Sequence, residues 1–225
     1  MKYNWILFDA DETLFSFDSF AGLRQLFAQY NVDFTKEDFN QYQQLNKPLW
    51  VAYQDGKIDA KTLQESRFSA WGKRLSVDPA ELNHGFLLSM AEVCRPLDGV
   101  VDLLQQLKDQ AKLAIITNGF TAMQQLRLKK TGLNDYFEFV VVSEEIGVSK
   151  PNPQFFQHAL ELANPQDTKQ VLVVGDTLES DILGGNNAGL DTCWLDHGRE
   201  NLTEIKPTYQ IPHITDLLPV IVENS

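Results

Sequence analysis

Long hydrophobic runs are missing from this chain of 225 residues. The longest near the N-terminus is Trp5 to Phe8, closed at once by Asp9, Asp11 and Glu12, so no signal-peptide core of about 7–15 apolar residues can be drawn. No stretch approaches the roughly 20 apolar residues of a membrane span. Cysteine is scarce too. Cys94 and Cys193 are too few for a disulfide framework and are expected to pack as small apolar side chains in a reducing compartment. Positive charge is also short, with 19 Lys and Arg against 31 Asp and Glu for a formal net charge of −12. Such a surface repels phosphate backbones and anionic headgroups at long range, which excludes nucleic-acid polymers and membranes as expected partners. A small anionic ligand stays open, because a local pocket of metal and basic groups overrides the mean field. The expectation is a cytoplasmic protein, monomeric or weakly oligomeric.

Removing Tyr from the 43% hydrophobic share and adding Gly gives about 46% apolar residues, an ordinary globular share, and the length suits one large domain or a core with an insert. Short β-branched runs predict buried strands at Trp5 to Phe8, Lys112 to Thr117, Glu138 to Val142, Gln170 to Val174 and Thr192 to Leu195. Between them lie helical patterns, such as Val100, Leu103, Leu104 and Leu107, or Phe120, Met123 and Leu126 ending at Gly132. This alternation predicts an α/β fold with a mostly parallel sheet. The gap between the first two strands is too long for one crossover helix. It is rich in aromatics at helical spacing and has no strand-like run, so residues 15–95 read as an inserted helical domain and residues 1–14 and 96–225 as the core. Leaving after strand one, the insert is expected over the carboxyl ends of the strands, where open α/β sheets bind ligands. Glu200 to Gln210 reads as a polar loop before a last short strand and helix.

Polar residues with chemical capacity recur at the strand ends. Strand one runs into Asp9-Ala10-Asp11-Glu12-Thr13, and the period of two in extended chain turns Asp9 and Asp11 to the same side. The second core strand closes on Thr117-Asn118-Gly119 before a helix whose free N–H groups can hold an anion. In Ser149-Lys150-Pro151-Asn152-Pro153, Pro151 biases Lys150 toward extended chain. Asn152 with Pro153 reads as a cap and first helical residue, placing a lysine at the head of a helix. A later strand ends in Gly175-Asp176 with Asp181 five residues on, and Gly184, Gly185 and Gly189 suggest close helix-to-strand approach. Each motif alone has a bland reading as turn, cap or surface charge; their convergence on one crevice is what points to chemistry.

With these four motifs the chain resembles the haloacid dehalogenase superfamily of phosphotransferases, matching it through Asp9-x-Asp11-x-Thr13, Thr117-Asn118, Lys150 and Gly175-Asp176-x4-Asp181. It looks closest to the bacterial pyrimidine 5′-nucleotidase branch through Phe8 to Phe15, Asn46 to Trp50 and Glu144 to Asn152. One departure is Glu12, where many members have Gly. The resemblance implies a Rossmann-like parallel-sheet core in three α/β/α layers with an inserted helical cap. It also implies a nucleoside monophosphate substrate such as UMP, dUMP or dTMP.

Phosphate-ester hydrolysis needs a nucleophile in line with the leaving oxygen, a proton for that oxygen, and compensation for phosphoryl charge. Asp9 is the expected nucleophile, forming an aspartyl-phosphate. Asp11 is the expected acid and then base, which requires its pKa to be raised. Thr117 and Asn118 would hold phosphoryl oxygens, and Lys150 would neutralise Asp9 and the phosphate. Hard oxygens from Asp9, the Asp11 carbonyl and Asp176 suit Mg²⁺, with Mn²⁺ as a substitute, and no Cys or His cluster supports zinc. Asp181 is expected to orient Lys150 or the metal shell. Phe17, Phe20, Trp50 and Tyr53 could stack on a base, although aromatics at helical spacing usually form a core. The remaining alternatives are a sugar-phosphate phosphatase or mutase, which shares the four motifs, and a phospho-accepting signalling module. A dehalogenase needs neither Asp176 nor Asp11, and a phosphonate hydrolase would want no acid at position 11.

Overall fold

Where β-branched runs alternate with amphipathic ones, the chain builds strand and helix in turn. The computed structural model describes residues 2–223. In chain order it holds β1 (Trp5–Phe8), α1 (Ser19–Ala28), α2 (Lys36–Gln54), α3 (Ala60–Ser66), α4 (Ser69–Leu75), α5 (Pro79–Val93) and α6 (Val100–Leu107). Then come β2 (Lys112–Thr117), α7 (Thr121–Thr131), β3 (Phe139–Val142), α8 (Ser143–Ile146), α9 (Pro153–Ala163) and β4 (Val171–Gly175). The chain ends with α10 (Leu183–Asn187), β5 (Asp191–Leu195), β6 (Tyr209–Ile211) and α11 (Leu217–Glu223).

The six strands form one sheet ordered β3-β2-β1-β4-β5-β6, parallel throughout. From β1 the order runs outward through β2 and β3 on one side and through β4, β5 and β6 on the other. A crevice therefore opens at the carboxyl ends of β1 and β4, where the connections diverge. The limits of β1 and β2 match expectation, and those of β3, β4 and β5 differ by single residues. Gln170 belongs to a 3-10 turn capped by the Asp167 side chain, and β5 starts one residue early at Asp191. The loop expected through Gln210 already becomes β6 at Tyr209, which pairs with β5.

By contact density the chain forms two compact units. One holds the described chain up to Ser16, Arg95–Asn118 and the described residues from Gly132 on; the other holds Phe17–Cys94 and Gly119–Thr131. In the sheet unit, Trp5 and Leu7 of β1, Ala114 and Ile116 of β2, and Val171 and Val173 of β4 pack with Phe155, Phe156 and Ala159 of α9. Their alternate neighbours Ile6, Phe8, Leu113, Ile115, Leu172 and Val174 point the opposite way and are equally buried. Both faces of the sheet are thus covered, as a parallel sheet requires. A Cβ on Gly185 would lie 2.6 Å from Thr192 Cγ2 of β5, so α10 rests on the sheet only because that atom is absent.

The helical unit is built around its aromatics. Phe27 stacks on Phe34 at 4.8 Å and meets Trp71 at 4.3 Å between ring centroids. Phe20 packs on Phe34 and Phe39, and Trp50 on Tyr53 and Phe120. Helix α2 starts on a reciprocal cap, the Thr35 hydroxyl accepting the Asp38 N–H while the Asp38 carboxylate accepts the Thr35 N–H. The buried Arg67 guanidinium lies over Phe68, Phe86 and Phe120 and donates to Asn83, which donates on to Gln64. Helix α7 buries Met123, Gln124, Arg127 and Leu128, with the Arg127 guanidinium bonded to Gln124; Leu126 is only half-buried. Both cysteines are free and buried. No described helix is long and apolar enough to cross a membrane.

Candidate active site

The N–H of Asp9 donates to the Val174 carbonyl at 2.8 Å, extending the β1–β4 pairing one residue past Phe8. Asp9 thereby enters the crevice on rigid backbone. Immediately beyond, Leu14 and Phe15 N–H both donate to the Ala10 carbonyl at 3.0 Å, folding Asp11 to Thr13 into a tight turn. Asp9 and Thr13 are buried and Asp11 is half-buried.

Lys150 reaches this strand end from the loop before α9, which is capped by the Asn152 side chain and opens on Pro153. Lys150 is 1% exposed, and its ammonium donates to Asp9 Oδ1 at 2.6 Å, Asp181 Oδ1 at 2.7 Å and the Ile116 carbonyl at 2.8 Å. Those three acceptors match its three protons. Asn118 fastens the Lys150 backbone from β2, its Nδ2 donating to the Lys150 carbonyl at 3.0 Å and its Oδ1 accepting the Lys150 N–H at 2.7 Å. Thr117, the last residue of β2, is buried and in register with Val142 of β3.

Asp176 and Asp181 arrive together because the segment Leu178–Ile182 is a π-turn, a wide turn common at functional sites. It brings Asp181 directly against β4. A Cβ on Gly175 would fall 2.4 Å from Asp181 Cγ. Gly175→Ala is therefore expected to displace Asp181 and lower stability by about 1–3 kcal/mol, with a loss of activity larger than in Gly185→Ala, whose crowding lies on Thr192; urea midpoints and steady-state rates check both. Asp181 Oδ1 accepts from Lys150 and from Ser180 Oγ, and its Oδ2 accepts the Thr177 N–H at 3.1 Å. Asp176 accepts from Thr177 Oγ1 and Arg199 Nη2 through its carboxylate. Its carbonyl accepts from Trp194 Nε1 at 2.9 Å and Arg199 Nη2 at 2.7 Å.

Asp9, Asp176 and Asp181 each offer one carboxylate oxygen, all within 4.8 Å of one another. Burial pushes the Asp9 carboxyl up; Lys150 opposes this, but Asp181 and Asp11 add to it, leaving Asp9 at about 7. Burial, with the charge of Asp9, also holds Asp176 above the ordinary carboxylate range. For Lys150, burial acts to lower the pKa, but Asp181 and Asp9 outweigh it and keep the ammonium charged. The three carboxylates of this cluster outnumber Lys150 and Arg199, the two cations paired with them, and leave excess negative charge. An all-oxygen donor set with that excess fits a hard divalent cation.

The sequence had not singled out the turn after β5. There Asp196, His197, Gly198 and Arg199 reach the same crevice, Arg199 through Asp176 and His197 through the Glu12 carbonyl. The available signal was position, since a polar tetrad directly follows the apolar strand Thr192 to Leu195 at the same sheet edge.

A parallel sheet with this strand order, and acidic groups with a buried lysine at its switch point, define a hydrolase of one family. The chain belongs to the haloacid dehalogenase-like hydrolases, whose profile matches residues 3–189. It is 56% identical over 218 residues to pyrimidine 5′-nucleotidase YjjG of Escherichia coli, covering 96% of this chain and 97% of that one. It is 34% identical over 230 residues to pyrimidine 5′-nucleotidase PynA of Streptococcus pneumoniae, covering 100% and 97%. Among solved structures it is similar to the magnesium-bound HAD-hydrolase YfnB of Bacillus subtilis, with a TM-score of 0.82, 34% identity, and coverage of 97% and 98%.

Proposed function

We propose that this protein hydrolyses pyrimidine nucleoside 5′-monophosphates, such as UMP, dUMP and dTMP, to nucleoside and phosphate through an aspartyl-phosphate on Asp9. We assign residues 1–14 and 96–225 to the catalytic core and residues 15–95 to the inserted cap, although Gly119–Thr131 groups by contact density with the helical unit. The observation that carries the chemistry is the buried Lys150 ammonium held at 2.6 Å from Asp9 at the sheet's switch point. The substrate class rests on the likeness to two proteins named pyrimidine 5′-nucleotidases.

In the first step an Asp9 oxygen attacks phosphorus, the bond to the nucleoside oxygen breaks, and Asp11 gives that oxygen its proton. In the second, Asp11 takes a proton from water, the water oxygen bonds to phosphorus, and the bond to Asp9 breaks, releasing phosphate. Thr117 and the Asn118 N–H hold phosphoryl oxygens while Lys150 offsets the charge of Asp9 and the phosphate. Asp181 orients Lys150. Asp9, the Asp11 carbonyl and Asp176 would hold Mg²⁺, or Mn²⁺ in its place, which when bound offsets carboxylate–phosphate repulsion.

The test is phosphate release from pyrimidine and purine nucleoside 5′-monophosphates and sugar phosphates, with Mg²⁺ or with EDTA. Metal-dependent release led by UMP, dUMP or dTMP is expected. If sugar phosphates led, the substrate assignment would fall and the core chemistry stand; metal-independent release would remove the cation. A stable phosphorylated Asp9 without turnover would make the protein a phospho-accepting module instead.

A further inference from the structure

Two residues joined by one hydrogen bond both carry left-handed backbone, Glu12 at φ 57° and His197 at φ 52°. Neither is glycine, so each holds that conformation against a steric cost. Glu12 is the apex of the turn that follows Asp11, its N–H donating to the Phe15 carbonyl at 2.7 Å. The apex carbonyl is held from the far side by His197 Nε2 at 2.6 Å. With a carbonyl as partner, Nε2 is the ring nitrogen that carries the proton.

The imidazole is aimed by a turn fastened at several points. Buried Asp196 accepts the Gly198 N–H at 2.5 Å and Gln210 Nε2 at 2.8 Å through its carboxylate. Arg199 returns its N–H and Nε to the Asp196 carbonyl at 2.9 and 2.8 Å and sends Nη2 to the Asp176 carbonyl. A single turn therefore holds both the backbone beside Asp11 and the backbone of Asp176.

We infer that His197 is a positioning residue for proton transfer: by holding the Glu12 carbonyl it keeps the left-handed apex formed and so aims the Asp11 carboxyl at the leaving oxygen. This rests on Asp11 being the acid of the proposed reaction. Loss of the imidazole hurts only as far as the apex is costly to form and only where the leaving group needs a proton. Glycine enters the left-handed region freely, so a glycine apex depends less on His197.

The experiment measures kcat/KM for wild type, H197A, E12G and the double variant, on UMP and on an aryl phosphate whose phenolate departs without a proton. H197A is expected to lose about tenfold toward UMP, equivalent to about 1.4 kcal/mol, and less than about threefold toward the aryl phosphate. In the E12G background the H197A loss toward UMP is expected to shrink below about threefold. H197Q, which keeps an N–H donor, should recover part of the loss. Equal losses on both substrates, an undiminished loss in the E12G background, or wild-type rates in H197A would each overturn the inference. Absence of turnover of either substrate by wild type would instead overturn the proposed function.

Discussion

Asp9→Asn is expected to abolish phosphate release, by on the order of 10⁵-fold in kcat, the scale of losing the nucleophile of a covalent mechanism. The substitution is nearly isosteric. The Asn amide oxygen still accepts from the Lys150 ammonium, and one of the crowded carboxylate charges around Asp9 disappears. Stability should accordingly stay level or rise while chemistry stops, which a urea midpoint measured beside the rate would show. Mass spectrometry of acid-quenched wild type during turnover should find phosphate on the peptide carrying Asp9 and none in the variant. Hydrolysis surviving in Asp9→Asn would remove the covalent route and leave direct attack by water.

Lys150→Met is expected to damage both stability and chemistry. The ammonium is the common partner of Asp9 and Asp181, and both carboxylates are buried. Removing one member of a buried ion cluster typically costs about 3–5 kcal/mol, because the remaining charges lose their compensation. Activity should fall by on the order of 10³-fold, since in the proposed mechanism this charge faces the phosphoryl group. Two companion variants separate these effects. Lys150→Arg keeps the charge, but its planar fork cannot reproduce three convergent donors in a space shaped for an ammonium, so it should not restore turnover. Lys150→Met combined with Asp181→Asn should regain stability without activity. If the double variant regained turnover, Lys150 would be structural.

Much of the sheet was legible because its determinants are local. Runs such as Val171 to Val174 have a period and composition that belong to buried parallel strand, and strand ends are marked by the first polar residue the core will not take. Asp9, Asn118 and Asp176 therefore stood out as strand-end residues, and Lys150 through the Asn152-Pro153 cap behind it. Helix α7 was harder. Phe120, Met123 and Leu126 suggested its buried face; Phe120 and Met123 are buried and Leu126 half-buried, but Gln124 and Arg127, which bond to each other, also turn inward. A hydrophobicity pattern does not register buried polar groups that bond to one another.

The site divides in the same way. From the sequence, Asp9, Asn118 and Asp176 are placed at the carboxyl edge of the sheet because each directly follows its own strand, whereas Lys150, eight residues beyond β3, was marked by its helix cap and Arg199 was not marked at all. Tertiary structure alone decided what those groups do to one another. Asp181 stands against Gly175 because a π-turn, which has no sequence signature, shortens the path from Asp176. The Asp9 carboxyl is pushed upward because burial, with the charges of Asp181 and Asp11, outweighs the opposing ammonium of Lys150. His197 grips Glu12 across 185 positions of chain, and no local pattern can encode a contact of that separation. Composition and periodicity act over a few residues, whereas desolvation and hydrogen-bond geometry exist only once distant segments share one volume.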